Sequence, residues 1–107
     1  MKLYLSGKIT GNQNYKEIFT RARVALTDAG FEVFDPSLVS FTTTPGWGEA
    51  MKTVLQGMLQ CDAVALIDNW MESKGSKVEY NLAATVGMIA MPIEWWIQHY
   101  KTNQEEK

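Results

Sequence analysis

Glu79 is the acidic side chain best placed to do chemistry. It stands in "SKGSKVEYNLA", residues 73–83, three positions after Ser76 and just ahead of an apolar run. Two readings of that spacing compete. In a capping box, Ser76 and Glu79 would each satisfy an orphan amide of a helix's first turn, worth about 1 kcal/mol or less. Alternatively, the carboxylate stands at the mouth of a loop that holds a sugar phosphate. Ser73, Gly75 and Ser76 make a small turn entering that helix, where amides and the helix dipole favour an anion. Gly75 lets a ligand approach the backbone closely, and Lys74 and Lys77 add positive charge. The plainer reading is a polar loop with Ser76 as N-cap.

The first strand offers a second group of candidates in "YLSGKITG", residues 4–11. Tyr4 points to the face opposite Leu3 and Leu5, so its hydroxyl either reaches the site or satisfies itself in the core. Ser6, Gly7 and Lys8 follow at the strand's carboxyl end, where Lys8 is either a phosphate contact or a solvated cation. Asp68, at the end of the third strand, binds sugar hydroxyls or only starts a turn. Trp47 and Trp70 flank loops at the same edge and either cover a nucleobase or pack.

Other chemistries fall away. His99 is the only histidine and stands near the chain's end, which disfavours a histidine-centred triad. No Cys/His cluster has metal-ligand spacing, and neither a GxxxxGK[ST] loop nor a GxGxxG fingerprint is present. No metal or cofactor is expected.

The elements that must position these residues are legible from periodicity. "KLYLS" at 2–6 and "FEVFD" at 31–35 read as strands, and "AVALI" at 63–67 as a strand covered on both faces. "MIAM" at 88–91 is a short last strand. Helices are expected at 15–29, stopped by Gly30, at about 47–59 with a stripe of Met51, Val54, Leu55, Met58 and Leu59, at 76–86 with a stripe of Val78, Leu82, Thr85 and Val86, and from 93 to about 100 after Pro92. The connection at 37–46 is long and polar, and residues 102–107 form a polar tail. Alternating strands and helices predict one α/β domain over 1–101. Its expected form is a small Rossmann-like or flavodoxin-like three-layer sandwich, with a parallel sheet of four or five strands and helices on both faces. Ligands in such sheets bind beyond the carboxyl ends of the strands, the edge reached by the loops at 6–14, 35–46 and 68–75.

The 107 residues suit one domain, with 46% hydrophobic and 21% charged residues. A chain of this size buries roughly two-thirds of its unfolded surface. A net charge of −2 argues against nucleic acid as a partner. No apolar run approaches the ~20 residues of a membrane span, and "MKLYLSGKITG" is too interrupted for a secretion signal. The lone Cys61 cannot form an internal disulfide, which points to the cytoplasm.

The ordered set "LYLSGKITG", "NYKEIFTRARVALTDAGFEVFDP", "WGEAM", "CDAVALID" and "SKGSKVEYNLA" resembles the nucleoside 2-deoxyribosyltransferase superfamily, most closely its short bacterial and phage branch. The resemblance covers residues 2–92. It implies a Rossmann-like domain, dimeric or larger, that cleaves N-glycosidic bonds of nucleosides or nucleotides. Glu79 matches the nucleophile that attacks the anomeric carbon, and Tyr4 the tyrosine that positions it. Ser73 and Gly75 match the serine and glycine that hold a 5′-phosphate. A carboxylate nucleophile splits one hard displacement into two easier ones. Its charge also suits a cation-like sugar transition state. The pattern departs at two places: the aspartate that assists the leaving base falls on Val54, and Lys8 stands where a small polar residue is common. Asp68 is the one candidate for a substitute acid. A protein that binds a nucleotide or its derivative without turnover is the alternative.

Overall fold

The computed structural model describes residues 1–100; the polar tail expected at 102–107 lies outside the described residues. The chain runs β1 (Lys2–Ser6), α1 (Tyr15–Asp28), β2 (Glu32–Phe34), α2 (Trp47–Leu59), β3 (Ala63–Leu66), α3 (Lys74–Thr85), β4 (Ala90–Pro92) and α4 (Ile93–Trp95), which continues as a π-helical turn, Trp96–Tyr100. The four strands form one parallel sheet in the order β2-β1-β3-β4. This is the α/β class expected, with four strands.

Alternation along β1 sorts the two faces. Leu3 and Leu5 enter one core with Phe19, Ala22 and Leu26 of α1, Ala63 and Ala65 of β3, and Trp96. Tyr4 enters the other with Met58 of α2, Val64 and Leu66 of β3, and Ala83 of α3. The sheet is therefore a middle layer, with α1 and the C-terminal helix on one side and α2 and α3 on the other. Burying each of Leu3, Leu5 and Leu26 completely contributes about 1.5–3 kcal/mol. Gly30 ends α1 with φ +100°, the left-handed conformation that suits glycine after a helix. Among the described residues no helix is long and apolar enough to cross a membrane.

The strand order also fixes where a ligand can enter. From β1 the chain crosses to β2 on one side, and from β3 it crosses to β4 on the other. The carboxyl ends of β1 and β3 thus flank a switch point, where the loops diverge and leave a crevice.

Two helix faces differ from expectation. On α3 the buried residues are Ser76, Glu79 and Ala83, while Val78 and Val86 are 38% and 53% exposed. The helix turns a polar face to the sheet because Glu79 finds hydrogen-bond donors on β1, and Ala83 is small enough to let the backbones approach. On α2, Met58 is buried and Leu59 faces out. The connection after β2 is not wholly irregular. Asp35 accepts from the Ser37 amide at 2.9 Å and from Ser37 Oγ at 2.6 Å, capping a 3₁₀ turn at Pro36–Leu38. Arg23 Nε donates to the same carboxylate at 3.1 Å.

Gly57 sets the spacing of α2 from the sheet. A Cβ there would lie 2.4 Å from Phe34 Cζ, and the Phe34 ring stacks on Tyr4 with centroids 5.6 Å apart. Gly57→Ala gains helix propensity but displaces that ring. We expect a net destabilisation of about 1–2 kcal/mol in urea unfolding, because overpacking outweighs the propensity gain.

Candidate functional site

Glu79 forms the floor of the site. Its side chain comes off α3 toward β1, and the residue is 6% exposed. Tyr4 Oη donates to Oε2 at 2.6 Å, and Ser6 Oγ donates to Oε1 at 2.7 Å. Residues 4 and 6 share a strand face, so the two donors are one pleat repeat apart and grip both oxygens of one carboxylate. The capping box is therefore not formed. Ser73 is the N-cap instead: its Oγ accepts from the Ser76 amide at 3.1 Å, and α3 begins at Lys74. Glu79 then falls in the second turn, freed from the helix end.

Burial pushes the Glu79 carboxyl up to about 7, against the opposing pull of the hydrogen bonds from Tyr4 and Ser6. Burial, with the facing Glu79 charge, drives the Tyr4 phenol far above its ordinary value, so Tyr4 stays a donor. The carboxyl can consequently switch between its acid and its anion near neutrality.

Above this floor opens a cavity of about 650 Å³, bounded by β1, the loops after β1, β2 and β3, and helices α2 and α3. That volume suits a nucleotide-sized ligand. Among the residues expected at the site, Tyr4, Gly7, Trp47, Ser73, Gly75, Ser76 and Glu79 line it. Gly7 is required by contact: a Cβ there would meet Ile67 Cδ1 at 2.8 Å. Ser76 Oγ is buried and has no hydrogen-bond partner, beside the amide-rich start of α3. A buried hydroxyl left unpaired costs about 1–3 kcal/mol, and a ligand oxygen would satisfy it. At the cavity's edge Lys74 Nζ lies 4.3 Å from the centroid of the Trp47 ring.

Four expected contacts stand elsewhere. Ser6 is fully buried and does not line the cavity; it holds Glu79. Lys8 donates its amide to Asn69 Oδ1 at 3.0 Å, and its ammonium lies 3.9 Å from Glu72 Oε1, outside the lining. Asp68 is exposed, in the turn closed by the Trp70 amide and the Ile67 carbonyl, and does not reach the cavity as a substitute acid. Trp70 stacks on Tyr80 with centroids 4.7 Å apart and packs on the Tyr4 side of the sheet. Sequence reasoning missed Tyr15, Ser37, Val39, Phe41 and Met51, all of which line the cavity. Asp35-Pro36-Ser37 was the available signal for the second loop, since an aspartate two residues before a polar residue makes such turns. Val54, where the resemblance expects an acid, does face the cavity. Among the described residues no group of three or more His, Cys, Asp or Glu is placed to hold a metal ion.

If the two donors hold the Glu79 charge as described, Tyr4→Phe and Ser6→Ala each move the Glu79 titration midpoint upward from about 7. Carboxyl ¹³C NMR of the labelled protein reads this directly. An unmoved midpoint in both variants contradicts the geometry. Ser73→Ala removes the N-cap and should lower stability by about 1 kcal/mol.

A comparison with curated proteins finds no match. A family model described as a domain of unknown function, DUF4406, matches residues 1–91. The match takes in the floor, both donors and every residue that lines the cavity, and on that span the chain belongs to the DUF4406 family.

Proposed function

We propose that the chain cleaves the N-glycosidic bond of a nucleoside or nucleotide, with Glu79 as nucleophile, along the lines of the nucleoside 2-deoxyribosyltransferase superfamily. The observation that carries this reading is the buried Glu79 carboxylate, held by Tyr4 and Ser6, at the base of a nucleotide-sized cavity. One Glu79 oxygen attacks the anomeric carbon while the bond to the base breaks. Water then releases the sugar in a hydrolase, or a second base does so in a transferase. Tyr4 and Ser6 fix the carboxylate's direction, and the start of α3 with Ser73, Gly75 and the unpaired Ser76 hydroxyl receives a 5′-phosphate. A homo-oligomer belongs to this reading, as the resemblance to the superfamily implies.

Val54 favours a second reading, binding without turnover, because the cavity wall there offers no acid to the leaving base. Stabilisation by a nucleotide in a thermal-shift screen, with no base released, would select that reading.

The experiment is base release from a panel of nucleosides and nucleoside monophosphates, followed by chromatography. Glu79→Gln abolishes release, and Tyr4→Phe lowers it by about 10²-fold through misorientation of the nucleophile. Release by wild type rises with pH through about 7 as the carboxyl ionises. Stability runs the opposite way. The folded carboxyl titrates higher than the 4.5 of a free one, so its contribution is complete below about 4.5 and is lost as pH rises through about 7. Glu79→Gln removes that slope from urea-unfolding curves between pH 5 and 8.

A further inference from the structure

Resting on the assignment of Glu79 as nucleophile, we propose that the base expelled is a cationic heterocycle, so that the substrate is an N-glycosyl pyridinium nucleotide or one of like charge.

A neutral base leaves with negative charge on its ring nitrogen unless an acid protonates it. Among the described residues, the titratable groups lining the cavity are Tyr4, Tyr15, Glu72, Lys74 and Glu79. Glu79 is the attacking group and Tyr4 is committed to it at 2.6 Å. The Lys74 ammonium is drawn onto the Trp47 ring. Glu72 has 70% of its side chain in solvent and turns toward Lys8. Tyr15 packs against the core on the α1 side of the sheet. The wall that α2 supplies, Trp47, Ala50, Met51 and Val54, carries no acidic hydrogen of use to a base. Both oxygens of the nucleophile also accept hydrogen bonds, which disperses its charge and calls for a leaving group that departs easily.

A pyridinium base meets each of these conditions. As Glu79 oxygen bonds to the anomeric carbon, the electron pair of the carbon–nitrogen bond passes to the ring nitrogen and cancels its positive charge. The base departs as a neutral molecule and takes no proton. Water then attacks the glycosyl ester, Glu79 leaves as carboxylate, and one proton goes to solvent. The electrostatics agree. Among the described residues the lining holds the Glu79 carboxylate, and Glu72, whose charge is shared with Lys8 at 3.9 Å, against the ammonium of Lys74.

The test compares nicotinamide mononucleotide, its reduced dihydronicotinamide counterpart and inosine 5′-monophosphate, each in ribo and 2′-deoxyribo form. The proteins are wild type, Glu79→Gln and Val54→Asp. We expect nicotinamide to be released about a hundredfold or more faster than hypoxanthine, in keeping with the usual worth of a missing general acid. The reduced, uncharged counterpart stays intact. Val54→Asp, which supplies the missing acid, narrows the gap by about tenfold or more by raising hypoxanthine release. Hypoxanthine released as fast as nicotinamide by wild type, and by no Glu79→Gln protein, overturns the cationic base and leaves the nucleophile standing. Release from none of the substrates, or release that survives in Glu79→Gln, overturns both.

Discussion

The hydrogen bonds from Tyr4 and Ser6 to Glu79 join the first strand to the third helix, and the site exists because of them. They are what allow an ionisable group to lie 6% exposed between a helix and a sheet. Without donors on β1, a carboxylate there would force α3 to rotate or lose the charge. With them, the carboxyl is pushed up to about 7 by burial and restrained by its two partners. The same pair of contacts thus sets the rotation of α3, closes the bottom of the cavity and tunes the group that the cavity presents.

The rest of the fold serves that arrangement through spacing. The order β2-β1-β3-β4 places the ends of β1 and β3 at the switch point, so the loops after them part over Glu79. Gly57 lets α2 lie against Phe34, which stacks on Tyr4 and keeps its ring in place. Gly7 lets the β1 loop pass Ile67. Asp35, paired with Arg23 and holding Ser37, anchors the second loop as the cavity's outer wall. Ser73 starts α3 early enough to bring Ser76 and Glu79 round to the sheet.

Strand positions were legible in the sequence because period-2 alternation in 2–6 and the apolar run in 63–67 admit few other structures. Those same patterns placed Leu3 and Leu5 opposite Tyr4, as the two cores show. The face of α3 was misread for a physical reason. A hydrophobic stripe assumes an apolar neighbour, yet the surface that α3 meets carries two hydroxyls, so Ser76 and Glu79 go in and Val78 and Val86 stay out. Ser76 three residues before Glu79 mimicked a capping box because the true cap, Ser73, lies three residues before Ser76. Asp68 and Trp70 were expected at the site from their loop alone, but side-chain direction is decided by partners such as Tyr80. Val39 and Phe41 reach the cavity in a loop whose start is held by Asp35, itself paired with Arg23 of α1, a tertiary contact that local pattern does not carry.

The central claim is that Glu79 forms a covalent bond to the sugar. Mass spectrometry of peptides from wild-type protein quenched during turnover of a nucleotide with a 2-fluoro sugar, which slows release of the glycosyl ester, tests it most directly. The account predicts an increment equal to the fluorinated sugar phosphate less one water on the peptide containing Glu79. Base release with that peptide unmodified throughout the reaction would contradict it.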